Sequence, residues 1–371
     1  MVGRQRRRDG TLADSAFLPE HSSKPVVPQG SDSDFMTASP APGKEQFDEV
    51  DPRASGQQPR RSRARRRRVI ASTTLLTIVG LLLANAASVN WQSAPATGDS
   101  ILHLDGGDIN VSQDGPPDAP VLVLIHGLGA STEWWKSIVP TLATSHRVIR
   151  IDLLGHGRSA KPTGGGYDVP RQGRRVGQAL DQLGIAQAIV IGHSTGGYVA
   201  TALAEHRGDL VTALALINTG PRLDAFISDG PVGKLVFVPV LGHLLWRLRT
   251  DGILRRGLST AFAPGFHVPQ QLLDDTRGMT YHSLTATSRA SDDYLTQRQL
   301  PDRLAILGKP LLVIFGERDQ RWRSSSAAEY RRVAGATVEL MPGVGHSPML
   351  EDPAQTAGLL LDFFDSVSGG R

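Results

Sequence analysis

The chain has 371 residues, 40% of them apolar and 20% charged, and 40 basic against 36 acidic side chains give a formal net charge of +4. That composition excludes wholesale disorder and a collagen-like repeat, and the charge balance is not that of a nucleic-acid-binding protein. With no Cys anywhere, disulfides, thiolate nucleophiles, iron–sulfur clusters and Cys-ligated zinc are excluded as well.

The positive excess is confined to the start of the chain, where residues 1–68 hold 14 basic and 9 acidic side chains and the rest holds 26 and 27. Residues 1–59 are rich in Ser, Pro, Gly, Gln and Asp and lack periodicity, which predicts a disordered tail. Seven Arg follow within residues 60–68, and then Val69 to Asn90 pass without a charge. Twenty-two such residues, as a helix rising about 1.5 Å each, reach across a hydrocarbon core of about 30 Å. The Arg cluster predicts a signal-anchor: tail 1–68 in the cytoplasm, a single span over 69–90 in the cell membrane, Trp91 near the outer interface, and the rest outside. The alternative is a cleaved leader and a secreted product, with Ala84-Asn85-Ala86 as the A-x-A site and Arg66-Arg67-Arg68-Val69-Ile70 loosely resembling a twin-arginine start. Arg outnumbers Lys 34 to 6, a bias of the kind GC-rich bacterial genomes produce.

After a Ser/Ala/Pro/Gly linker (91–99), strand-like and helix-like segments alternate. Predicted strands are 100–104, 107–112, 121–125, 147–151, 187–192, 212–217, 310–315 and 336–341. Most are continuous apolar runs, which suit strands covered on both faces, and hence a mostly parallel sheet flanked by helices. Predicted helices are 133–144, 170–184, 196–207, 324–334 and 353–367. The alternation breaks at residues 221–308, read as an inserted, mainly helical cap. The core then consists of residues 100–220 and 309–371, an α/β domain.

Gly192-His193-Ser194-Thr195-Gly196 fits G-x-S-x-G between a strand and a helix, where a sharp turn would hold the serine hydroxyl up and exposed. A serine hydroxyl is a weak nucleophile that needs a base, and the base needs an orienting carboxylate. Asp319 follows the strand LLVIF, with Glu317 as the rival carboxylate, and His346 follows the next strand. His126, His156 and His193 are competing bases. The oxyanion of a tetrahedral intermediate requires donors, predicted to be the backbone N–H groups of Leu128, in His126-Gly127-Leu128-Gly129, and of Thr195. His126 itself reads as structural within its loop. Asp152-Leu153-Leu154-Gly155-His156-Gly157-Arg158-Ser159 reads as a structural turn, since no phosphate-loop motif accompanies its glycines. No metal-ligand cluster or dinucleotide fingerprint is present, so neither metal nor cofactor is expected.

On these motifs and their order, residues 100–368 resemble the α/β-hydrolase superfamily, in particular its capped serine esterase and hydrolase branch. The loops at 126–129 and 152–159, the elbow at 192–196, Gly316-Glu317-Arg318-Asp319 and Gly345-His346-Ser347-Pro348 carry the likeness. It implies an α/β-hydrolase fold and an acyl-enzyme formed by Ser194 and resolved when His346 activates water. Ser at the elbow argues against members that use a carboxylate nucleophile. The apolar cap residues Phe226, Leu235, Val236, Phe237, Val238, Leu241, Leu244, Leu245 and Trp246 are read mostly as packing, or else as lining an acyl pocket, and Trp134, Trp135 or Trp322 as bordering it. The predicted partners are a small-molecule acyl substrate with an apolar portion and a membrane through residues 69–90, without nucleic acid. The oligomeric state is left open. Two alternatives remain beside the esterase: a cofactor-free perhydrolase or C–C bond hydrolase with the same triad, and a non-catalytic binding module.

Overall fold

The computed structural model describes residues 59–92, 100–228, 235–238 and 240–368. The predicted disordered tail up to residue 58, linker residues 93–99 and the side chain of Trp91 lie outside the described residues. Helix α1 (Pro59–Gln92) runs through both the Arg cluster and the uncharged stretch, so it is longer than the expected span. Arg is a good helix former, and Pro59 at the first position lacks an N–H that would have had no intrahelical acceptor. Within α1, Ser62–Ala87 is long and apolar enough to cross a membrane, and none of its most apolar stretch is buried.

Eight strands form one sheet: β1 (Ile101–Leu102), β2 (Ile109–Asp114), β3 (Val121–Ile125), β4 (Arg147–Ile151), β5 (Ala188–His193), β6 (Val211–Ile217), β7 (Leu311–Gly316) and β8 (Ala336–Met341). Their spatial order is β1-β2-β4-β3-β5-β6-β7-β8. β1 and β2 are antiparallel, and every pairing from β4 to β8 is parallel. Alternate residues of β3 feed opposite faces: Val123 and Ile125 enter one apolar cluster, Leu122 and Leu124 the other. This two-sided burial is why the central strands read as unbroken apolar runs. Strand order reverses at β3, since β4 lies on one side of it and β5 on the other, and in such sheets the crevice at the strands' carboxyl ends is where ligands bind.

The flanking helices of the core are α2 (Val139–Leu142), α3 (Val169–Gln182) and α4 (Thr195–His206). The helix expected over 133–144 is broken into a 3-10 turn, Thr132–Trp135, and the short α2. Pro140 stands at the start of α2, where it lacks an N–H and crowds the residue four before it, so a continuous helix cannot form. Between β6 and β7 come α5 (Leu241–Arg247), α6 (Asp251–Leu258), α7 (Gln270–Arg277), α8 (Tyr281–Gln297) and α9 (Leu300–Leu307). The chain then closes with α10 (Pro348–Glu351) and α11 (Pro353–Ser368), while 324–332 is 3-10 rather than α.

Of the nine apolar cap residues singled out in the sequence, Phe226 packs against a core cluster and Val236, Phe237, Leu245 and Trp246 are half-buried, while Leu235, Val238, Leu241 and Leu244 are exposed. Of the three tryptophans, Trp134 and Trp135 are enclosed in the core, Trp134 with its ring stacked 6.2 Å from that of His193, and Trp322 is buried with its ring edge on Phe226, 4.9 Å between centroids.

Candidate active site

At the end of β5 the backbone turns through Ser194 at φ 52°, ψ −121° and enters α4. A non-glycine residue at positive φ is strained, and surrounding bonds must hold it there. Ser194 N–H donates to Ile217 O at 2.9 Å, while Ser194 O accepts from Gly197 N–H at 2.9 Å and from the Thr219 hydroxyl at 3.2 Å. The turn also presses α4 onto the end of β3: a Cβ on Gly196 would overlap the carbonyl oxygens of Ile125 and His126. Ser194 is half-buried, between the enclosed His193 and Thr195.

Asp319 and His346 lie in the loops after β7 and β8. His346 Nδ1 donates to Asp319 Oδ2 at 2.9 Å, which leaves Nε2 as the unprotonated nitrogen. That Nε2 is buried and carries no hydrogen bond, not even from the Ser194 hydroxyl. The elbow and the imidazole are nonetheless tied together: His193, next to Ser194, donates from Nε2 to His346 O at 2.8 Å, and the two rings are 5.0 Å apart. Burial works to raise the Asp319 carboxyl, but the His346 charge and the hydrogen bonds from His346, Asn218 and Arg321 N–H outweigh it, so it titrates below the usual aspartate value. The rival Glu317 is exposed.

Each competing histidine has at least one ring nitrogen committed elsewhere, and none is paired with a carboxylate as His346 is with Asp319 at 2.9 Å. His126 Nδ1 donates to Gly127 O at 2.8 Å and its Nε2 accepts from Leu153 N–H at 3.0 Å, so neither nitrogen is free. His193 is turned to His346 O, and His156 Nδ1 to Leu154 O at 3.2 Å. Burial lowers all three pKa values and keeps the rings neutral. In the 152–159 loop, the Asp152 carboxylate accepts from Thr132 N–H, Asn110 Nδ2 and Arg158 N–H at 2.7, 2.9 and 2.9 Å. That carboxylate is committed to holding the loop, and its oxygens lie where a Cβ on Gly157 would be.

The predicted oxyanion donors sit on two different elements. Thr195 is the first residue of α4, where an N–H has no intrahelical acceptor. Leu128 stands in the turn closed by Ala130 N–H to Gly127 O at 3.2 Å, which requires positive φ at Gly129, observed at 80°.

Four residues outside the predicted set hold these loops. Asn218, ending β6 at φ 44°, donates to Asp319 Oδ2 at 2.7 Å and to Gly345 O at 3.2 Å. Glu351 accepts from Gly345 N–H and Ser347 N–H, both at 2.9 Å, on either side of His346. From α7, Thr276 donates to Gly129 O at 2.9 Å and Asp275 accepts from the Ser131 hydroxyl at 2.9 Å. The only sequence signal for any of them is a polar residue placed directly after a strand, Asn218.

Asp275 carries a cost. Burial, and to a lesser extent the charges of Asp152 and Glu133, push its carboxyl up from 3.8 to about 6, against the hydrogen bonds from Ser131 and Gln271. A raised folded-state value means that stability is full below the ordinary value and is lost as pH rises through the folded one. Asp275→Asn, which keeps the acceptor for Ser131, is therefore expected to raise the Tm by a few degrees at about pH 8 and to leave it unchanged at about pH 4. Thermal denaturation at the two pH values checks this, and an equal shift at both would contradict it.

A family model described as "Alpha/beta hydrolase family" matches residues 122–359. A pimeloyl-[acyl-carrier protein] methyl ester esterase from Edwardsiella ictaluri is 28% identical over 255 residues, covering 67% of this chain and 94% of the relative. A monoacylglycerol lipase from Bos taurus is 26% identical over 272 residues, covering 68% and 77%. Among solved structures, a membrane phospholipase A, a bacterial virulence factor, superimposes with a TM-score of 0.59 at 25% identity, covering 82% of this chain and 99% of that one.

Proposed function

The chain belongs to the alpha/beta hydrolase family and is a hydrolase, and we propose that it is a membrane-anchored serine hydrolase cleaving an ester or related acyl bond. Ser194 is the nucleophile, His346 the base and Asp319 its orienting carboxylate, with Leu128 N–H and Thr195 N–H stabilising the oxyanion. The observation that carries this reading is the buried His346–Asp319 pair, 2.9 Å apart, with its second ring nitrogen free beside the strained serine turn. An imidazole so placed takes the Ser194 proton as Oγ attacks the acyl carbon, returns it to the leaving alcohol, and then activates water to release the acid.

Residues 221–308 form the cap over residues 100–220 and 309–371, and α1 is the anchor, with its span inside 69–90, the tail 1–68 on the cytoplasmic side and the catalytic domain outside. The uncharged, unburied stretch of α1 supports that placement, and so does the likeness to a protein described as a membrane phospholipase A. An acyl substrate with an apolar portion fits a hydrolase held at a bilayer.

A fluorophosphonate probe is expected to label the chain at Ser194 and to leave Ser194→Ala unlabelled. Long-chain p-nitrophenyl esters are expected to turn over as well as short ones. Labelling that persists in Ser194→Ala removes the nucleophile assignment, and activity confined to the acetate removes the apolar substrate.

A further inference from the structure

Outside α1, eleven large aliphatic side chains are exposed among the described residues, and six of them crowd into residues 235–248: Leu235, Val238, Val240, Leu241, Leu244 and Leu248. Scattered apolar residues on a surface mean little, but a contiguous apolar patch marks an interaction site. The exposure is built in. On α5 the buried residue is Gly242, seated against Val236 O and the Tyr281 hydroxyl, while Leu241, Leu244 and Leu248, spaced three and four apart, share the outer face. The helix is thus pinned by its glycine with its leucines turned outward, the reverse of a core-facing amphipathic helix. Val240 and Leu248 are 83% and 61% exposed, which no packing defect of one side chain explains.

The segment that carries this patch is basic and amphipathic: Arg247, Arg249, Arg255 and Arg256 fall within ten residues against the single acid Asp251. Arg249 is held by Trp246 O and Arg277 O and Arg255 by Val268 O, while Arg256 is exposed. Trp246 is half-buried, its indole N–H donating to Met279 O at 3.2 Å with the Arg249 guanidinium 4.5 Å from its ring. Leucines flanked by Trp and Arg are the make-up of an element that lies in a headgroup layer, the apolar side chains below it and the guanidinium groups against anionic lipid.

The geometry points to residues 235–248 as a second membrane contact, docking the predicted cap on an anionic lipid surface beside its own anchor. The inference rests on the membrane placement of α1. Seven residues separate Gln92 from Ser100, at most about 3.6 Å each, so an anchored domain is held close to the bilayer and the patch meets lipid at a high effective concentration. The contact also leads to the candidate active site. Tyr281, whose hydroxyl bonds to Val236 O, opens α8, and Ser291 of α8 bonds to the Thr195 hydroxyl next to Ser194 at 3.4 Å.

Because the chain has no Cys, Leu244→Cys gives a unique site for a spin label in the full-length chain reconstituted in phosphatidylcholine–phosphatidylglycerol vesicles. The label is expected to collide with oxygen and be shielded from a water-soluble nickel chelate, while one on Ile306→Cys, exposed on α9, stays open to nickel. In parallel, Leu241→Gln/Leu244→Gln/Leu248→Gln is expected to lower turnover of a vesicle-embedded long-chain ester about tenfold or more and to spare a soluble short ester. A Leu244→Cys label as open to nickel as the Ile306→Cys one, in a chain that stays with the vesicles, overturns the docking and leaves the anchor standing. A label shielded from both quenchers means a protein partner or a second copy covers the patch, and overturns it too. A chain that remains in the aqueous fraction removes both the anchor and the docking.

Discussion

Ser194→Ala and His346→Ala are each expected to lower kcat by about 10⁴-fold or more with little change in KM, and the double variant is expected to be no slower than either single one. The reason for the non-additivity lies in what each side chain does alone. Ser194 is held at φ 52° whether or not a base is present, but its hydroxyl without a proton acceptor is a poor nucleophile. His346, buried with Nδ1 committed to Asp319 at 2.9 Å and Nε2 free, has no other proton to move. Removing either breaks one proton transfer, and removing both breaks the same one. The residual rate in all three variants comes from the amide donors and from substrate binding, which neither substitution touches. Alanine at position 194 removes no hydrogen bond that holds the loops, because Ser194 is fixed by its backbone; alanine at 346 removes the one to Asp319, but its loop is still held by Glu351 through Gly345 and Ser347. Steady-state kinetics on the three variants, with unchanged circular dichroism, checks this. Losses that multiply in the double variant would mean that serine and histidine act in separate steps.

Sheet and site were legible to the extent that each announces itself locally. Strands such as Val121–Ile125 and Leu311–Gly316 are apolar throughout because both faces are covered, and that pattern depends on no distant residue. The candidate Ser194 follows directly on such a strand, Asp319 comes three residues after Leu311–Gly316, and His346 five residues after the mixed, partly exposed strand Ala336–Met341, so the strands marked where to look for them. What failed depends on contacts across the chain or on what surrounds the molecule. Thr276 and Asp275 meet the loop of Leu128 from 147 and 144 residues away, and an ordinary helix carries them with nothing in its periodicity to mark it. Asn218 acts on Asp319 across 101 residues. Leu235, Val238, Leu241 and Leu244 read as packing residues because apolarity signals burial without saying in what, yet they are exposed. The helix expected over 133–144 was read through Pro140, where propensity of the neighbours masked a missing N–H.

The carboxylate offers a second test, and a sharper one, because the substitution that probes it is nearly isosteric. Asp319→Asn is expected to lower kcat by about 10⁴-fold, while Glu317→Gln, on the exposed side of the same loop, leaves it unchanged. Asp319 accepts four hydrogen bonds: Oδ2 from Asn218 Nδ2 at 2.7 Å and His346 Nδ1 at 2.9 Å, Oδ1 from the N–H groups of Arg321 and Trp322 at 2.7 and 3.1 Å. A carboxylate can serve all four donors, whereas an amide has one acceptor oxygen and one NH₂. If that NH₂ points at the backbone, two buried N–H groups face a donor and lose their partner. If it points the other way, it opposes the Asn218 amide and can meet His346 only by donating to Nδ1. His346 must then carry its proton on Nε2, where the base needs a lone pair. The loss therefore falls on kcat through the tautomer, with the geometry of the loop intact. A variant that keeps full activity would show that another group orients the imidazole, and would leave the buried Asp319–Asn218–His346 cluster as a structural tie between β6, β7 and β8.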